Sequence, residues 1–392
     1  MEYSFEQKGE IQSILSKIYA GTKRVKLVGR AGTGKTTVLR EIVGRSGSYK
    51  IIACAPTNNA VDVLRKSLTG LDIGFFTVAS LLKSTRKIDY DTGKMWFEPS
   101  ATETTGKFLI ICDEGSMLAE TDVLALEKAY PTAVFLFVGD KGQLPPINDE
   151  NYCVFDNLPG GILTHNFRCG NGNSVFDFQE RLYQGDLSLP QPDERISFIT
   201  RDQIHPGDLN VTFHNNTADA INRYVFEREY GSKIQTGISL IARSTFKDLN
   251  GWKVFNAQQF KITKATPNFV PVSRLGSGEF QRVAADLKIQ TIESWKCDAG
   301  TYKFLYVADP KLVLLKSALS NLKMWREFYA LNDYFPDVRL GYATTAHCTQ
   351  GLTLKSVNLV WDDLMGAPEK IRQALLYVAA SRVTDSLKIL RK

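Results

Sequence analysis

The chain of 392 residues has no apolar run approaching the roughly eighteen residues that would cross a bilayer, so no membrane partner is expected. Its first residues, Met1-Glu-Tyr-Ser-Phe-Glu6, lack the basic start and apolar stretch of a signal peptide, and a cytoplasmic location is expected. Six cysteines (Cys54, Cys112, Cys153, Cys169, Cys297, Cys348) are scattered without a Cys-x-x-Cys pair. That excludes the usual zinc and disulfide patterns and reads as free thiols in a reducing compartment. Charge of one sign is also scarce: 48 Lys and Arg against 42 Asp and Glu give +6, which is compatible with a polyanion partner without revealing one. No linker, tail or low-complexity segment interrupts the sequence.

What is present is globular. A hydrophobic fraction of 43% and a charged fraction of 23% are those of a packed chain long enough for two or three domains. Short, nearly all-apolar runs at Arg24–Val28, Ile51–Ala55, Phe108–Cys112 and Val134–Val138 suit strands buried on both faces of a parallel sheet. Helix-like stretches between them complete an α/β pattern. Two segments break it. Arg86-Lys-Ile-Asp-Tyr90-Asp-Thr-Gly93-Lys-Met-Trp96-Phe97 reads as a β-hairpin inserted at about 82–104. A second α/β pattern begins near Leu209 with a helix at Ala218–Glu227. It gives way to a Val/Phe/Thr-rich stretch from about Leu249 to Leu322 with turns at Asn250-Gly251, Pro267-Asn268 and Gly276-Ser-Gly278. The α/β pattern resumes at Gly341, with a strand at Val357–Trp361, a helix near Pro368–Ala380 and a strand at Leu387–Leu390.

Chemistry enters at the ends of the apolar runs, where open α/β sheets bind ligands. Gly29-Arg-Ala-Gly32-Thr33-Gly34-Lys35-Thr36 follows a strand and opens a helix. That is the Walker A arrangement, in which side-chain-free backbone closes on phosphate oxygens at a helix N-terminus. Lys35 would reach the β- and γ-phosphates and Thr36 would hold Mg²⁺. Asp113-Glu114 ends the run Phe108–Cys112, with Asp113 as a metal carboxylate and Glu114 as base for the attacking water. Gln143, in Gly139-Asp-Lys-Gly-Gln143, could sense the γ-phosphate or orient that water. ATP and Mg²⁺ are therefore the expected cofactors.

The order of further motifs resembles the superfamily 1 helicases. Phe5-Glu-Gln7 resembles the adenine-reading Q motif, Ala55-Pro-Thr57-Asn58 motif Ia, and Thr77-Val-Ala-Ser80 motif Ib. Asp113-Glu-Gly-Ser-Met resembles motif II, Gly139-Asp-Lys-Gly-Gln143-Leu-Pro-Pro motif III, and Leu163-Thr-His-Asn-Phe-Arg168 motif IV. Thr345-Ala-His347-Cys-Thr-Gln350-Gly351 resembles motif V and Tyr377-Val-Ala-Ala-Ser381-Arg382 motif VI. Departures are Gly115 in motif II, Cys348-Thr349 where Lys-Ser is common, and Val-Thr after Arg382. The Gln-Leu-Pro-Pro form resembles the RecD-like, 5′→3′ branch, and the compact length resembles the Dda-type phage helicases.

That resemblance implies two RecA-like P-loop domains, 1–170 and 171–392, with a pin hairpin in the first. It implies an SH3-like β insertion at about 249–336 in the second. ATP would be bound through Gln7, Gly32, Thr33, Gly34, Lys35, Thr36, Thr37, Gln350 and Gly351, with Arg168 and Arg382 as cations lent to the γ-phosphate. Thr57, Asn58, Ser80, Thr345 and His347 would grip single-stranded DNA, and Trp96, Phe97 and Tyr90 would form a wedge at a duplex junction. Replication or single-strand-binding proteins are further partners it suggests, with a monomer as the working form, in the host cytoplasm if phage-encoded. An RNA helicase of the same superfamily, or an ATPase clamp that does not unwind, are the alternatives. Replacing Lys35 by Ala should abolish phosphate release from ATP; substantial residual turnover would remove the Walker A assignment.

Overall fold

The computed structural model describes residues 3–146, 149, 151–167, 172–352 and 354–391. By contact the chain forms two compact units, one of Met1–Thr85, Pro99–Ala218 and Thr344–Lys392, the other of Arg86–Glu98 and Asp219–Ala343.

The first unit holds two parallel sheets. The six-stranded one is built from β1 (Arg24–Gly29), β2 (Lys50–Ala55), β3 (Gly74–Thr77), β6 (Phe108–Cys112), β7 (Val134–Gly139) and β8 (Gly160–Leu163), in the order β3-β2-β6-β7-β1-β8; the intervening β4 (Thr85–Ile88) and β5 (Met95–Glu98) form a separate two-stranded sheet. Strands β6 and β7 are buried at every position, which explains their unbroken apolar sequence: helices cover both faces. One face packs Ile14, Ile18, Leu39 and Ile42 from α1 (Phe5–Tyr19) and α2 (Lys35–Arg45). The other packs Val123, Leu126 and Phe155. The second sheet runs in the order 343–345, 209–212, 354–360, 383–390, 196–199. It is covered by the helices Ser174–Tyr183 and Glu369–Ser381, whose Phe178, Leu182, Leu375 and Val378 are fully buried. Two parallel sheets flanked by helices is the expected two-RecA-like architecture. The expected strand at Val357–Trp361 lies at Leu354–Val360, and Trp361 instead begins a short helix.

The second unit contains the hairpin of β4 (Thr85–Ile88) and β5 (Met95–Glu98) and the segment from Asp219. The expected helix at Ala218–Glu227 lies within Asn215–Tyr230; the stretch from about Leu249 was expected to be β-rich, and it does carry antiparallel strands, among them Lys264–Pro271, Thr291–Ala299 and Tyr302–Tyr306. It also carries three helices, Glu279–Asp286, Pro310–Asn321 and Trp325–Tyr334. Asp309 caps the middle one, accepting from the Lys311 N–H, with Pro310 in its first turn. That start signal is present in the sequence but is outweighed there by the Val/Phe/Thr-rich surroundings.

The hairpin was expected to be part of the first domain, yet its contacts place it with Trp325–Tyr334. Its turn is set by Asp89, whose carboxylate accepts from the Asp91 and Thr92 N–H groups and the Thr92 hydroxyl. Gly93 has φ +73° and a Cβ there would lie 2.3 Å from the Trp325 ring, so only glycine meets both the left-handed backbone and the close approach. The Tyr329 hydroxyl donates to the Gly93 carbonyl at 2.8 Å. Arg86 binds both Asp333 oxygens at 2.7 and 2.6 Å, and the Arg326 guanidinium lies 5.3 Å over the Tyr90 ring. The ion pair is solvent-exposed and worth about 0–1 kcal/mol; the packing of Trp325 under the turn is the firmer anchor.

Candidate nucleotide site and strand-contact residues

The P-loop runs from the end of β1 into α2, with Gly32 and Gly34 at φ +90° and +81°. These left-handed turns bend the backbone around a cavity of about 540 Å³, lined among others by Gln7, Gly32, Gly34, Lys35, Thr36, Thr37, Asp113, Glu114, Gln143 and Arg382. Thr33 is fully buried and bonds the Arg30 carbonyl, so it braces the loop instead of facing the cavity. Lys35 Nζ donates to the Gly29 and Arg30 carbonyls at 2.6 and 3.0 Å. Burial pushes this ammonium down, against the pull of Asp140, Glu114 and Asp113. A phosphate is the partner that such a buried cation and the N–H groups of a helix N-terminus fit.

Asp113 and Glu114 follow β6. Burial, with the neighbouring Glu114 charge, pushes the Asp113 carboxyl up to about 7, while Lys35 and Arg382 draw it down. A carboxylate in that state gains most from a further cation. Glu114 sits at φ +52°, a left-handed conformation unusual for a residue with a Cβ, which aims its carboxylate across the cavity. Arg382, which caps the C-terminus of Glu369–Ser381, meets it there at 3.6 Å. The Gln143 amide, oriented so that both its polar atoms are paired, donates to Glu114 Oε2 at 2.9 Å and accepts from Arg382 at 3.1 Å. Arg382 is 8% exposed, and its Nε is left without a partner. A buried guanidinium with a spare N–H, beside the P-loop, fits an anion.

Residues without a role in the sequence reading complete the site. Tyr377 Oη donates to Asp140 at 2.7 Å and accepts from the Ala31 N–H at 3.2 Å, and burial with the Asp140 charge pushes its phenol up. One side chain of the second sheet's helix thus touches both the P-loop and the loop after β7. On the opposite wall, Glu6 accepts from Thr164 and His165, Asn166 donates to the Ala31 carbonyl, and the Phe167 N–H to that of Gly32. This stitching sets the Phe167 ring into the cavity beside Gln7. The Gln7 side-chain oxygen caps α1 by accepting from the Ser4 N–H at 3.1 Å, which leaves its Nε2 over Gly34, 2.5 Å from where a Cβ would stand. Hydrogen bonding to Ser4 thus fixes the direction in which Gln7 presents a donor. The motif residue Arg168 lies outside the described residues. Gln350 and Gly351 are not among the cavity's lining residues: Gly351 packs against Thr57 and Ala60, and Gln350 is buried with Nε2 unpaired.

The expected strand-contact residues lie at carboxyl ends of strands. Thr57 and Asn58 follow β2, with Thr57 capping the next helix by accepting from the Ala60 N–H. Ser80 follows β3 and is exposed. Thr345 ends its strand and is buried, its hydroxyl 3.5 Å from Cys348 Sγ. His347 is pushed down by burial and packs near Phe213. The loop carrying Phe213 is fixed by Asp363, which accepts from the N–H groups of Phe213 and His214 and from the Thr217 hydroxyl. That carboxylate had no signal in the motif order. In the hairpin, Tyr90, Trp96 and Phe97 are 45%, 41% and 61% exposed. Trp96 and Phe97 are adjacent on β5, so their rings leave opposite faces of the ribbon. They do not form one flat surface.

Comparison with known proteins follows the same lines. Residues 3–185 match the family model described as an AAA domain. An uncharacterized protein of Acanthamoeba polyphaga mimivirus is 28% identical over 250 residues, 58% of this chain and 48% of that protein. The ATP-dependent DNA helicase Dda of Enterobacteria phage T4 is 23% identical over 430 aligned residues, 96% of each chain. The chain thus spans about half the length of the first relative and nearly all of the second. Among solved structures, Bacteroides Pif1 bound to ssDNA superposes with a TM-score of 0.52 at 15% identity, over 99% of this chain and 92% of that one. The same helicase with ADP-AlF3 and ssDNA gives 0.51 at 16%, over 100% and 92%. These likenesses establish the fold.

Substituting Glu114 by Gln keeps the shape of the cavity and removes the base. ATP binding should persist within a few-fold while the hydrolysis rate falls by about 10²–10⁴, read from nucleotide titration and single-turnover phosphate release. Equal loss of both would contradict the base role.

Proposed function

We propose that this chain, an AAA-domain protein of the superfamily 1 helicase type, is an ATP-dependent DNA helicase moving 5′→3′ on single-stranded DNA. The observation that carries the reading is the meeting of Arg382 and Glu114 in one cavity. Arg382 stands before the strand Val383–Leu390 of the second sheet, and Glu114 at the end of β6 in the first. A nucleotide held there touches both sheets, so its hydrolysis can change their separation. The full-length relationship to the phage T4 ATP-dependent DNA helicase supports the DNA substrate, and the Gln143-Leu-Pro-Pro form of motif III supports the polarity.

Lys35 would leave the Gly29 and Arg30 carbonyls for the phosphates, and Arg382 would leave Glu114 for the γ-phosphate. That frees Glu114 to take the proton of the attacking water, with Gln143 holding the water in line. An arginine so placed stabilises the charge of the transition state and contributes roughly 10³–10⁵ in rate. Thr36 and Asp113 are the residues that would hold Mg²⁺, which when bound neutralises phosphate charge. The Gln7 donor and the Phe167 ring would bind the base edge and face. Thr57, Asn58 and Ser80 on one sheet and Thr345 and His347 on the other would grip strand phosphates without reading sequence. Two grips whose spacing follows the nucleotide state make a ratchet, provided the two states bind the strand differently. We further propose that the protein works as a monomer in the cytoplasm on single-stranded DNA and its junctions with duplex, alongside single-strand-binding proteins. Arg168 is proposed as a second cation to the γ-phosphate, and the exposed hairpin as the element that meets the duplex.

Duplex DNA carrying either a 5′ or a 3′ single-stranded tail, with ATP and Mg²⁺, tests the function. Opening of the 5′-tailed substrate alone is expected. Opening only of the 3′-tailed one would overturn the polarity, and ATPase stimulated by DNA without opening of either would make the protein a translocase or clamp.

A further inference from the structure

The second unit contains a small hairpin that the nucleotide site does not use. Its strands are Phe246–Lys247 and Lys253–Val254, and Lys247 pairs directly with Lys253. Both lysines are exposed, and among the described residues neither has an acidic partner within ion-pair distance. Like charges placed opposite one another on a two-stranded rung are destabilising. An anion lying along the rung relieves that repulsion.

The tip between them is held rigid. The Asp248 carboxylate, itself buried, accepts from the Asn250 N–H at 2.9 Å, the Trp252 N–H at 2.7 Å and the Lys303 N–H at 2.9 Å. Leu249 donates to the Lys303 carbonyl at 2.7 Å, and Gly251, at φ +84°, closes the turn onto Asp248. This bracing does not bury the tip's own apolar side chains. Leu249 is 56% exposed and Trp252 63%. A rigid turn presenting an indole to water beside two lysines without a carboxylate partner, Lys253 lying 5.4 Å over the Phe255 ring, is preorganised for a ligand that is both anionic and flat-faced.

The charge of the surrounding unit points the same way. Residues 219–343 hold 18 Lys and Arg against 12 Asp and Glu, and the hairpin 86–98 holds three of each, so this unit carries all of the chain's +6. The remainder of the chain is electrically balanced.

We propose that the 247–253 tip is a second binding site for single-stranded nucleic acid, separate from the grip on the two parallel sheets. Lys247 and Lys253 take backbone phosphates, and Trp252 stacks on an unpaired base, with Leu249 beside it. Unpaired bases offer such faces along their whole length, whereas a duplex exposes them only at its ends. The inference rests on the nucleic-acid reading above and deepens it.

Binding of the full chain to a fluorescently labelled oligothymidylate, followed by anisotropy across a salt series, tests the site. Lys247→Gln with Lys253→Gln should weaken binding at least tenfold. It should also lower the salt exponent by about 1.4, the value for two single-strand phosphate contacts. Trp252→Ala should weaken binding at least fivefold with the salt exponent unchanged, and Trp252→Phe should restore most of it. Thermal midpoints confirm that the variants are folded. Folded variants that bind with wild-type affinity and salt exponent would overturn the site and leave the tip as a surface for some other partner, such as an acidic protein. A wild-type chain that fails to bind the oligonucleotide would instead bring down the nucleic-acid reading as a whole.

Discussion

Burial of charge around the P-loop is the constraint on which the structure depends. Lys35, Asp113, Glu114, Asp140 and Arg382 crowd one cavity region, and no buried charge there is tolerable without compensation. Lys35 is satisfied by carbonyls of its own loop, Arg382 by Glu114 and Gln143, and Asp140 by Tyr377. Asp113 remains the least compensated, which is why its carboxyl is pushed up to about 7. Bringing in a triphosphate with its metal exchanges these internal pairings for contacts to ligand. The cavity is therefore self-paired in a form that its substrate can dismantle. The strained Glu114 backbone and the unpaired Arg382 Nε mark where that exchange is concentrated.

The second sheet reaches the site through Glu180, which pairs with Arg30, through Thr384, and above all through one helix. Its last residues supply both Tyr377, bonded to the P-loop and to Asp140, and Arg382, bonded to Glu114. Helix Glu369–Ser381 is otherwise packed into the second sheet's core through Leu375, Leu376, Val378 and Ala379. A shift of that helix driven by nucleotide is a shift of its sheet, because packed interiors transmit displacement without absorbing it. The strand-contact residues follow from the same geometry: the half-exposed Thr57 and Asn58 come after β2, the exposed Ser80 after β3, and the half-exposed His347 after the buried strand Ala343–Thr345.

Much of this was legible in the sequence. Continuous apolar runs located β1, β2, β6 and β7 because strands covered on both faces need no polar alternation. The Walker A glycines stood for side-chain-free backbone around a phosphate, and Gly32 and Gly34 do line the cavity. The resemblance to a RecD-like helicase anticipated both the two parallel sheets and the relationship to the phage T4 protein. What the sequence left hidden is of a different kind. Tyr377 and Phe167 stand within the motifs quoted, but they act through contacts between segments more than a hundred residues apart, which a motif read along the chain does not show. Gly93 looked like an ordinary turn glycine, and only its approach to Trp325 explains why the hairpin belongs with a helix of the second half. One helix within the β-rich stretch, Pro310–Asn321, carried its cap in plain view at Asp309-Pro310, but composition averaged over the segment concealed it. Trp96 and Phe97 were read as one wedge because they are adjacent, whereas the period of a strand sends them to opposite faces.

Coupling of hydrolysis to movement requires Arg382 of the second sheet to act at the γ-phosphate held by the first. Its direct test is the DNA-stimulated hydrolysis rate of Arg382→Ala, measured beside its affinity for ATP. A fall in rate on the order of 10³ or more, with ATP affinity changed by less than tenfold, is the expected result. A variant that hydrolyses ATP at close to the wild-type rate would contradict a shared site, and with it the coupling of hydrolysis to movement of the sheets.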